Sequence, residues 1–371
     1  MAEVQEINDL RTLANYRLLW NSLLEETPNA SFHHTFEWLE NFWRHDGSDK
    51  RLRVLIVRVA GQAVGILPLC VIERRHRLGT LDVLTYPLDN WASFYGPIGK
   101  NQTATLMAAM RYLASTPRDW DQIDLGWTDV DAVDHGRTRN AMRLAGLAAD
   151  SQLQDETSVI DLAAFTNGEE YLASLSKKTR HELRRHERRV SEFGEVTFER
   201  HRPGPRREGG GDERWDLYDE CEQIASTSWQ SASTTGNTLS DREYVGFFRD
   251  CHAAAARQGM VDMALLRLAG KPVAFWYGYQ HQGRLIGMRM GYDPSTPVGG
   301  VGNVLLKRLI ADSIARGDQH LDMGVGGEQY KLRLRTGSKS IYHITHTPTL
   351  AVRPQMVRAA RWLKQQIAAV V

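Results

Sequence analysis

The chain has 371 residues, of which 42% are hydrophobic and 25% charged, values typical of soluble globular proteins that bury a core. This length exceeds the usual size of a single domain, so two domains are expected. Because 46 Lys and Arg face 45 Asp and Glu, the near-zero net charge argues against steering of the whole protein onto nucleic acid or an acidic membrane.

The three cysteines, Cys70, Cys221 and Cys251, form no CxxC pair. Neither a disulfide framework nor a zinc site is predicted, and no metal is expected. No apolar run approaches the ~20 residues that a membrane-spanning helix needs. The first residues, MAEVQEINDLRTL, carry acids where a signal peptide carries basic and then apolar residues, which favours a cytoplasmic protein.

The first half of the chain alternates between helical and strand periodicity. Helices are expected over residues 9–24, 36–43, 103–114 and 134–144, and strands over 52–59, 64–72, 81–86, 122–125 and 158–162. The two strands that flank Gly61 are typical of a β-hairpin.

The second half repeats this order of elements. Helices are expected over 169–193, 215–228, 241–257 and 301–315, strands over 196–199, 262–268, 273–281, 285–292, 320–323 and 340–347, and a basic amphipathic helix over 352–369. Residues 201–213 are rich in Pro, Gly and charge and predict a loop. Mixed sheets of this kind bind ligands where neighbouring strands part at their carboxyl ends, and each half could be one such unit.

A glycine loop, Gly299-Gly300-Val301-Gly302-Asn303, precedes the helix over 301–315. Glycines let backbone N–H groups approach an anion closely, and the helix N-terminus adds a favourable partial charge. The combination suits a pyrophosphate, although the loop is neither a Walker loop nor GxGxxG in a βαβ unit. A flexible turn that starts a helix explains the glycines equally well.

The strand before this loop separates two faces by alternation. Ile286, Met288, Met290 and Tyr292 are expected on one face, and Gly287, Arg289 and Gly291 on the other. The glycines would leave room for a thioester arm along the backbone. An exposed arginine on a partly solvated strand is the simpler interpretation.

Several proton-transfer groups follow the strand over 320–323. Asp322 lies at its end, and the Gly-rich turn beyond it carries Glu328, Tyr330 and Lys331. Asp322 could equally hold the turn through backbone amides, and Tyr330 and Lys331 could be ordinary turn residues.

The helix over 169–193 has an apolar stripe and a basic face. The stripe, which predicts the packing face, consists of Leu172, Leu175, Thr179, Leu183, His186 and Val190. The basic face consists of Lys177, Lys178, Arg180, Arg184, Arg185, Arg188 and Arg189. A histidine within such a stripe is more often a core residue than a functional one, and a solvated charged face is the alternative to contact with phosphate, tRNA or acidic lipid.

Several motifs, in order along nearly the whole chain, together resemble one family. In the first half they are Ser31-Phe32, Phe36-Glu37-Trp38-Leu39, Leu55-Ile56-Val57-Arg58, Gly65-Ile66-Leu67-Pro68-Leu69 and Ser93-Phe94-Tyr95. In the second half they are Leu175-Ser176, Arg180, Leu183-Arg184-Arg185, Ser228-Trp229-Gln230, Gly299 to Gly302, Leu321-Asp322-Met323-Gly324 and Gly327-Glu328-Gln329-Tyr330-Lys331. The chain is thereby similar to GNAT-superfamily acyltransferases of the CelD or BioF-like type, which are related to the Fem peptidyltransferases.

The resemblance implies an α/β fold with mixed sheets in two tandem GNAT-like domains. Residues 1–164 would form the first, residues 165–350 the second with the active cleft, and residues 351–371 an amphipathic helix that could contact a membrane surface. It also implies an N-acyltransferase in which an amine of a sugar, amino acid or lipid precursor attacks an acyl thioester directly. The thioester of coenzyme A would be a co-substrate, with no tightly bound cofactor. Because Pro297 stands where the superfamily pattern (R/Q)xxGx(G/A) has Arg or Gln, an acyl carrier protein is an alternative donor.

The resemblance further implies roles for individual residues. Asp322, Glu328 and His186, in that order, are candidates for the base, and Tyr330 for the acid that protonates the leaving thiolate. Donor contacts are expected from Gly299, Gly300, Val301, Gly302, Asn303 and Arg289, and substrate contacts from Arg180, Arg184, Trp229 and Lys331.

Two other functions remain open. A Fem-like aminoacyl transferase would take its donor from charged tRNA, which the basic helix favours and the near-neutral net charge does not. A non-catalytic scaffold in polysaccharide or lipid assembly would bind partners without thioester turnover.

Overall fold

The strands and helices follow the hydrophobic periodicity of the sequence. A computed structural model describes residues 2–76, 79–88, 93–228, 238–326 and 328–349. The strands in these ranges are β1 (Ala2–Ile7), β2 (Arg51–Val59), β3 (Gln62–His76), β4 (Gly79–Thr85), β5 (Gln122–Thr128), β6 (Asp150–Asp161), β7 (Val196–His201), β8 (Val261–Leu268), β9 (Lys271–His281), β10 (Arg284–Tyr292), β11 (His320–Val325) and β12 (Gly337–His346). The helices are α1 (Leu10–Ala14), α2 (Arg17–Glu25), α3 (Phe36–Asp46), α4 (Gln102–Ser115), α5 (Arg137–Leu144), α6 (Gly168–Ser174), α7 (Lys177–Ser191), α8 (Trp215–Thr227), α9 (Val245–Arg257), α10 (Val301–Ala315) and α11 (Gln329–Leu334).

The chain divides into two compact units. Unit 1 contains the residues up to Asp155 together with those from Ser340 onward, and unit 2 contains Glu156–Lys339. This division differs from the boundary expected after residue 164 and from the placement of the last strand in the second domain, because β12 pairs with β5 of unit 1. The helix expected within 351–371 lies outside the described residues.

Both units have the same order of strand pairing. In unit 1 the order is β1-β2-β3-β4-β5-β12, with β4 and β5 parallel and the other pairs antiparallel. In unit 2 the order is β7-β8-β9-β10-β11-β6, with β10 and β11 parallel and the other pairs antiparallel. A parallel pair at the same place in an antiparallel meander makes the units structural repeats, although their sequences show no obvious repeat.

Each unit has its own hydrophobic core. In unit 1, Leu106 and Met110 of α4 and Met142 of α5 pack against strand residues such as Leu67 and Ile123. In unit 2 the core lies between one face of the sheet and helices α6, α7 and α10. It includes the apolar residues of the stripe predicted on the helix over 169–193, namely Leu172, Leu175, Leu183 and Val190.

Two predicted helices are each split by a break, one of which is capped by a serine side chain. In place of the helix expected over 169–193, α6 ends at Ser174, because Leu175 is extended. The Ser176 hydroxyl then accepts a hydrogen bond from the Thr179 amide at 3.2 Å and caps the start of α7. The helix expected over 9–24 is interrupted at Asn15 and Tyr16. Serine N-caps stabilise a new helix start, which periodicity alone does not reveal.

Two elements have no counterpart among the predictions. The edge strand β1 pairs along its length with β2, although its sequence AEVQEI is largely polar. The short helix α11 occupies part of the predicted Gly-rich turn. Within the described ranges, no helix has the length and apolarity required to cross a membrane.

Candidate functional site

The parallel strands of unit 2 part after three residue pairs. The last pair is Ile286 with Asp322, after which β10 runs on to Tyr292 and β11 to Val325 without pairing with each other. Gly324 has a φ of +78°, and a Cβ added there would lie 3.3 Å from the Gly287 carbonyl oxygen. The glycine therefore permits a close backbone approach at the point where the gap opens.

The carboxylate of Asp322 lies at this point and is half-buried. Its Oδ1 accepts hydrogen bonds from the Thr157 hydroxyl and, at 2.8 Å, from the Gly324 amide. Burial raises the pKa of Asp322, although these two bonds oppose the shift. Asp322 thus holds the turn, as one of its two interpretations predicted, while burial also makes it a stronger base than an ordinary aspartate.

The turn after β11 is held by Lys331. Its buried ammonium donates to the Val325 carbonyl at 2.6 Å and lies 3.1 Å from Oε2 of Glu328. The Glu328 carboxylate in turn packs against Gly326, whose φ is +120°. Lys331 therefore contacts two carbonyl oxygens within the turn and forms an ion pair with Glu328.

The glycine loop contacts α7 through His186. Gly300 is the N-cap residue of α10 and has a φ of +97°. A Cβ added there would lie 2.5 Å from Cγ of His186. The Asn303 amide nitrogen lies 3.0 Å from Nδ1 of His186. When Asn303 donates to Nδ1, the imidazole is neutral with its proton on Nε2. Burial lowers the pKa of His186, and the neighbouring Arg185 and Arg189 act in the same direction, against Glu182.

The N-terminus of α10 is open toward solvent at Gly299. This residue is exposed, and a Cβ added there would contact no atom within 4 Å. No side chain caps the helix at Gly300. The first-turn N–H groups, which include those of Gly302 and Asn303, have no acceptors within the helix. Val301 is instead buried in the core.

Tyr330 lies close to the same asparagine. The two residues line a small cavity of about 30 Å³, together with Leu183 of α7 and Leu334 of α11. Tyr330 is half-buried against the core, and burial raises the pKa of its hydroxyl, which therefore stays protonated at neutral pH. His186, Gly300, Asn303 and Tyr330 are thus brought together on one side of the sheet.

Arg289 faces the other side of the sheet. A β-bulge shifts the register of β10, since Gly287 pairs with Gly278 but Arg289 with Tyr277, which leaves Met288 as the extra residue. A Cβ on Gly287 would overlap the Trp276 ring, whereas one on Gly291 would meet the ring of Phe275, its neighbour on β9. Phe275 and Trp276 are consecutive residues of β9, so their side chains lie on opposite faces of the sheet. Gly287 and Gly291 therefore lie on opposite faces, and the prediction of one shared face for Gly287, Arg289 and Gly291 is wrong.

Arg289 shares the face of Gly291 and interacts electrostatically with Tyr279. Trp276 and Met290, by contrast, pack with α10 in the core. The structure does not bring the Arg289 side chain to the glycine loop.

Two of the remaining predicted substrate residues, Arg180 and Arg184, lie on α7. Arg180 donates to the Ala173 carbonyl, and the exposed Arg184 lies 3.4 Å from the equally exposed Glu169. Trp229 lies outside the described residues. Thr157 is the residue of this site that the sequence did not indicate, because its contact with Asp322 spans 165 positions.

Comparison with known proteins identifies the domain that contains this site. Residues 177–332 match the acetyltransferase (GNAT) domain family. This match covers α7, the glycine loop, the parting strands and most of α11. No curated protein matches the chain significantly in sequence.

Solved structures share the fold over nearly the whole chain. FemX has 11% identity and a TM-score of 0.59, covering 92% of this chain and 96% of its own. The C-terminal domain assigned to a lysylphosphatidylglycerol synthetase of Agrobacterium fabrum has 13% identity and a TM-score of 0.57, covering 94% and 96%. L-PGS from Bacillus licheniformis has 16% identity and a TM-score of 0.50, covering 88% and 96%. The predicted α/β fold with mixed sheets in two repeated units is confirmed, and residues 177–332 match the GNAT domain family.

Proposed function

We propose that this acyltransferase, whose residues 177–332 form a domain of the GNAT superfamily, moves an acyl group from a coenzyme A or carrier-protein thioester to an amine. The single observation that carries the proposal is the contact of His186 with Gly300 and Asn303. It holds an exposed glycine loop at a helix N-terminus beside the parting strands. We further assign the chain to the CelD or BioF-like type and to the cytoplasm.

The donor's phosphate groups would bind at the glycine loop. Gly299 offers open space, the first-turn N–H groups can donate, and the helix dipole favours a negative charge. A neutral His186 with its proton on Nε2 adds one further donor. Coenzyme A and carrier-protein donors both hold the acyl group on a phosphopantetheine arm, so the loop could serve either donor.

The thioester would lie in the gap between β10 and β11. Beyond Ile286 the edge of β10 has no ladder partner on the β11 side among the described residues, so its N–H groups can stabilise an oxyanion there. The amine attacks the carbonyl carbon, the new C–N bond forms and the C–S bond breaks. Asp322 takes the proton from the amine, and Tyr330 gives a proton to the leaving thiolate.

Glu328 and His186 serve less well as the base. Glu328 forms an ion pair with Lys331, whose ammonium lies 3.1 Å from Oε2, so this carboxylate is already engaged within the turn. His186 uses Nδ1 to accept from Asn303. Asp322, whose pKa is raised by burial, remains the first candidate.

A thermal-shift titration with coenzyme A thioesters from acetyl to palmitoyl tests the donor. At about a hundred times the Kd, binding to the native state stabilises it by about 2.7 kcal/mol, which raises Tm measurably. Gly299→Ala should abolish the shift and leave the free protein intact, because the added methyl group meets nothing until phosphate binds.

Gly204→Ala is the matched control. Gly204 is also exposed in a loop of unit 2 with nothing near its Cβ position, so its variant should bind thioesters like the wild type. A shift that grows with chain length would identify the acyl class. Equal shifts in both variants would show that the donor does not bind at the glycine loop.

The basic face of α7 favours a second candidate, an aminoacyl transferase that uses charged tRNA. Lys177, Lys178, Arg185, Arg188 and Arg189 are all exposed. If tRNA binds there, aminoacyl transfer should weaken steeply with salt and fall when Arg185 and Arg189 are both replaced by Ala. Thioester turnover that is indifferent to this double replacement would favour the first candidate.

A further inference from the structure

Unit 1 contains a small polar cavity whose lining residues all lie outside the residues that match the GNAT family. The cavity measures about 30 Å³, enough for one small group, and the exposed Pro28 lies among its lining residues. It adjoins the start of α5, the segment between β4 and α4, and the residues that follow β5. None of the described residues that line it is Lys or Arg.

Two buried oxygen atoms in this cavity have no hydrogen-bond partner among the described residues. They are the Tyr95 hydroxyl and Oδ2 of Asp134, whose residues are 5% and 7% exposed. The Tyr86 hydroxyl is in the same state, and its ring centroid lies 5.1 Å from that of Tyr95. Burial and the nearby Asp134 raise the pKa of Tyr86, so the Asp134 carboxylate lies near the Tyr86 phenol.

The other oxygen of Asp134, Oδ1, already accepts two hydrogen bonds. Oδ1 accepts from the Thr138 amide at 3.0 Å and from the Thr138 hydroxyl at 2.5 Å. The nearby cation Arg137 donates to the backbone carbonyls of Val133 and Asp134. A buried carboxylate is costly without a counter-charge, and here the guanidinium bonds to backbone carbonyls and leaves Oδ2 of this cavity-lining residue without a hydrogen-bond partner among the described residues.

The lining therefore offers a carboxylate oxygen, a phenol oxygen and aromatic faces. Asp129 adds a second acidic side chain, and Phe94 lies beside Tyr95. A primary ammonium group has three N–H donors and a positive charge, and aromatic faces attract cations. Neutral or anionic ligands would leave the carboxylate without a counter-charge.

We infer that this cavity of unit 1 binds the primary ammonium group of a small organic cation, with Asp134 Oδ2 as its counter-charge and Tyr95 Oη as a second acceptor. The site is independent of the donor site proposed in unit 2. It gives unit 1 a binding role of its own.

Thermal stability of the full chain in methylammonium chloride tests the site. We expect a saturable rise in Tm relative to sodium chloride at equal ionic strength, and no such rise with tetramethylammonium, which has no N–H donor. Asp134→Asn keeps the Oδ1 acceptor for Thr138 and removes the charge, so it should weaken binding by about tenfold or more.

Tyr95→Phe keeps the ring, loses the hydroxyl and should weaken binding by a smaller factor. Asp131→Asn is the matched control, because Asp131 is an exposed acid in the same turn and does not line the cavity. Its variant should bind methylammonium like the wild type.

No methylammonium effect beyond that of sodium chloride would overturn the proposal and assign the cavity to a buried water. An effect that Asp134→Asn and Tyr95→Phe both leave unchanged would overturn it as well. Neither result depends on thioester binding, so a failure here is distinguishable from a failure of the donor site.

Discussion

At the scale of single residues, one substitution separates the structural role of Asp322 in the turn from its proposed role as the base. Asn in its place retains Oδ1, which accepts from Thr157 and Gly324, but cannot take a proton. Asp322→Asn should therefore lower kcat by about a hundredfold or more with little change in Tm. Asp161→Asn, at an exposed position on β6, is the control and should leave kcat unchanged. Near-normal turnover in Asp322→Asn would exclude Asp322 as the base.

The pH profile of the reaction follows from the same carboxylate. The base must be ionised, so kcat/KM should fall as pH drops through the pKa of Asp322, which burial raises above the ordinary aspartate range. This acid limb should be absent from the residual activity of Asp322→Asn.

His252 of α9 makes the folding stability depend on pH. Its Nε2 donates to the Glu213 carbonyl at 2.7 Å, its Nδ1 lies 3.2 Å from the Tyr277 hydroxyl, and burial lowers its pKa to about 4. The unfolded chain, with a pKa of about 6.5, binds more protons between these values. The free energy of unfolding should therefore fall by up to about 1.4 kcal/mol per pH unit as pH drops from 6.5 toward 4.

Urea denaturation at pH 7.0, 5.5 and 4.5 measures this slope. His252→Gln should flatten it, whereas His181→Gln, at an exposed position on α7, should keep it. Identical slopes in the two variants would assign the pH dependence to other groups.

At the scale of elements, an ion-pair network ties β7 to β8 and α10. Arg200 of β7 donates to both oxygens of Asp262 at 2.8 and 3.0 Å and to Asp312 of α10 at 2.8 Å, and Arg202 also donates to Asp262 at 2.9 Å. Burial would raise the pKa of Asp262, but the two guanidinium groups outweigh it and lower the pKa. This contribution to stability is present above pH ~4 and is lost as pH falls through the lowered pKa.

Removing the central carboxylate should be costly. Asp262→Ala leaves buried guanidinium charge without its shared partner and should lower the free energy of unfolding by about 3 to 5 kcal/mol. Glu169→Ala removes the exposed partner of Arg184 and should cost less than about 1 kcal/mol. Similar losses in urea denaturation would show that the network contributes no more than a surface pair.

At the scale of the whole molecule, the two units should respond to different ligands. Each has its own core, and the proposed donor contacts lie entirely in unit 2. Hydrogen exchange with a bound thioester should slow at residues 299–304 and around Gly287 and Gly324, while the amides of α4 and α5 exchange as before. If the bound thioester instead slowed exchange mainly at α4 and α5, the donor site would lie in unit 1.

The sequence by itself determined the features that depend on residues close together in the chain. The bounds of α10 agree with prediction, as do β2 to β5 and β7 to β11 to within a few residues, because apolar alternation and helical periodicity are local properties. Helical periodicity also predicted the apolar stripe over 169–193, including the place of His186 in it. The glycine loop and Asp322 were singled out from their residue types, although their roles were not.

Only the tertiary structure decided which of these residues meet. Asn303 contacts His186 across 117 positions and Thr157 contacts Asp322 across 165, distances over which no periodicity extends. A single bulge residue moved Arg289 to the other face of the sheet, because side chains alternate with a period of two. The pairing of β12 with β5 placed the last strand in unit 1, since backbone hydrogen bonding joins strands that sequence order separates.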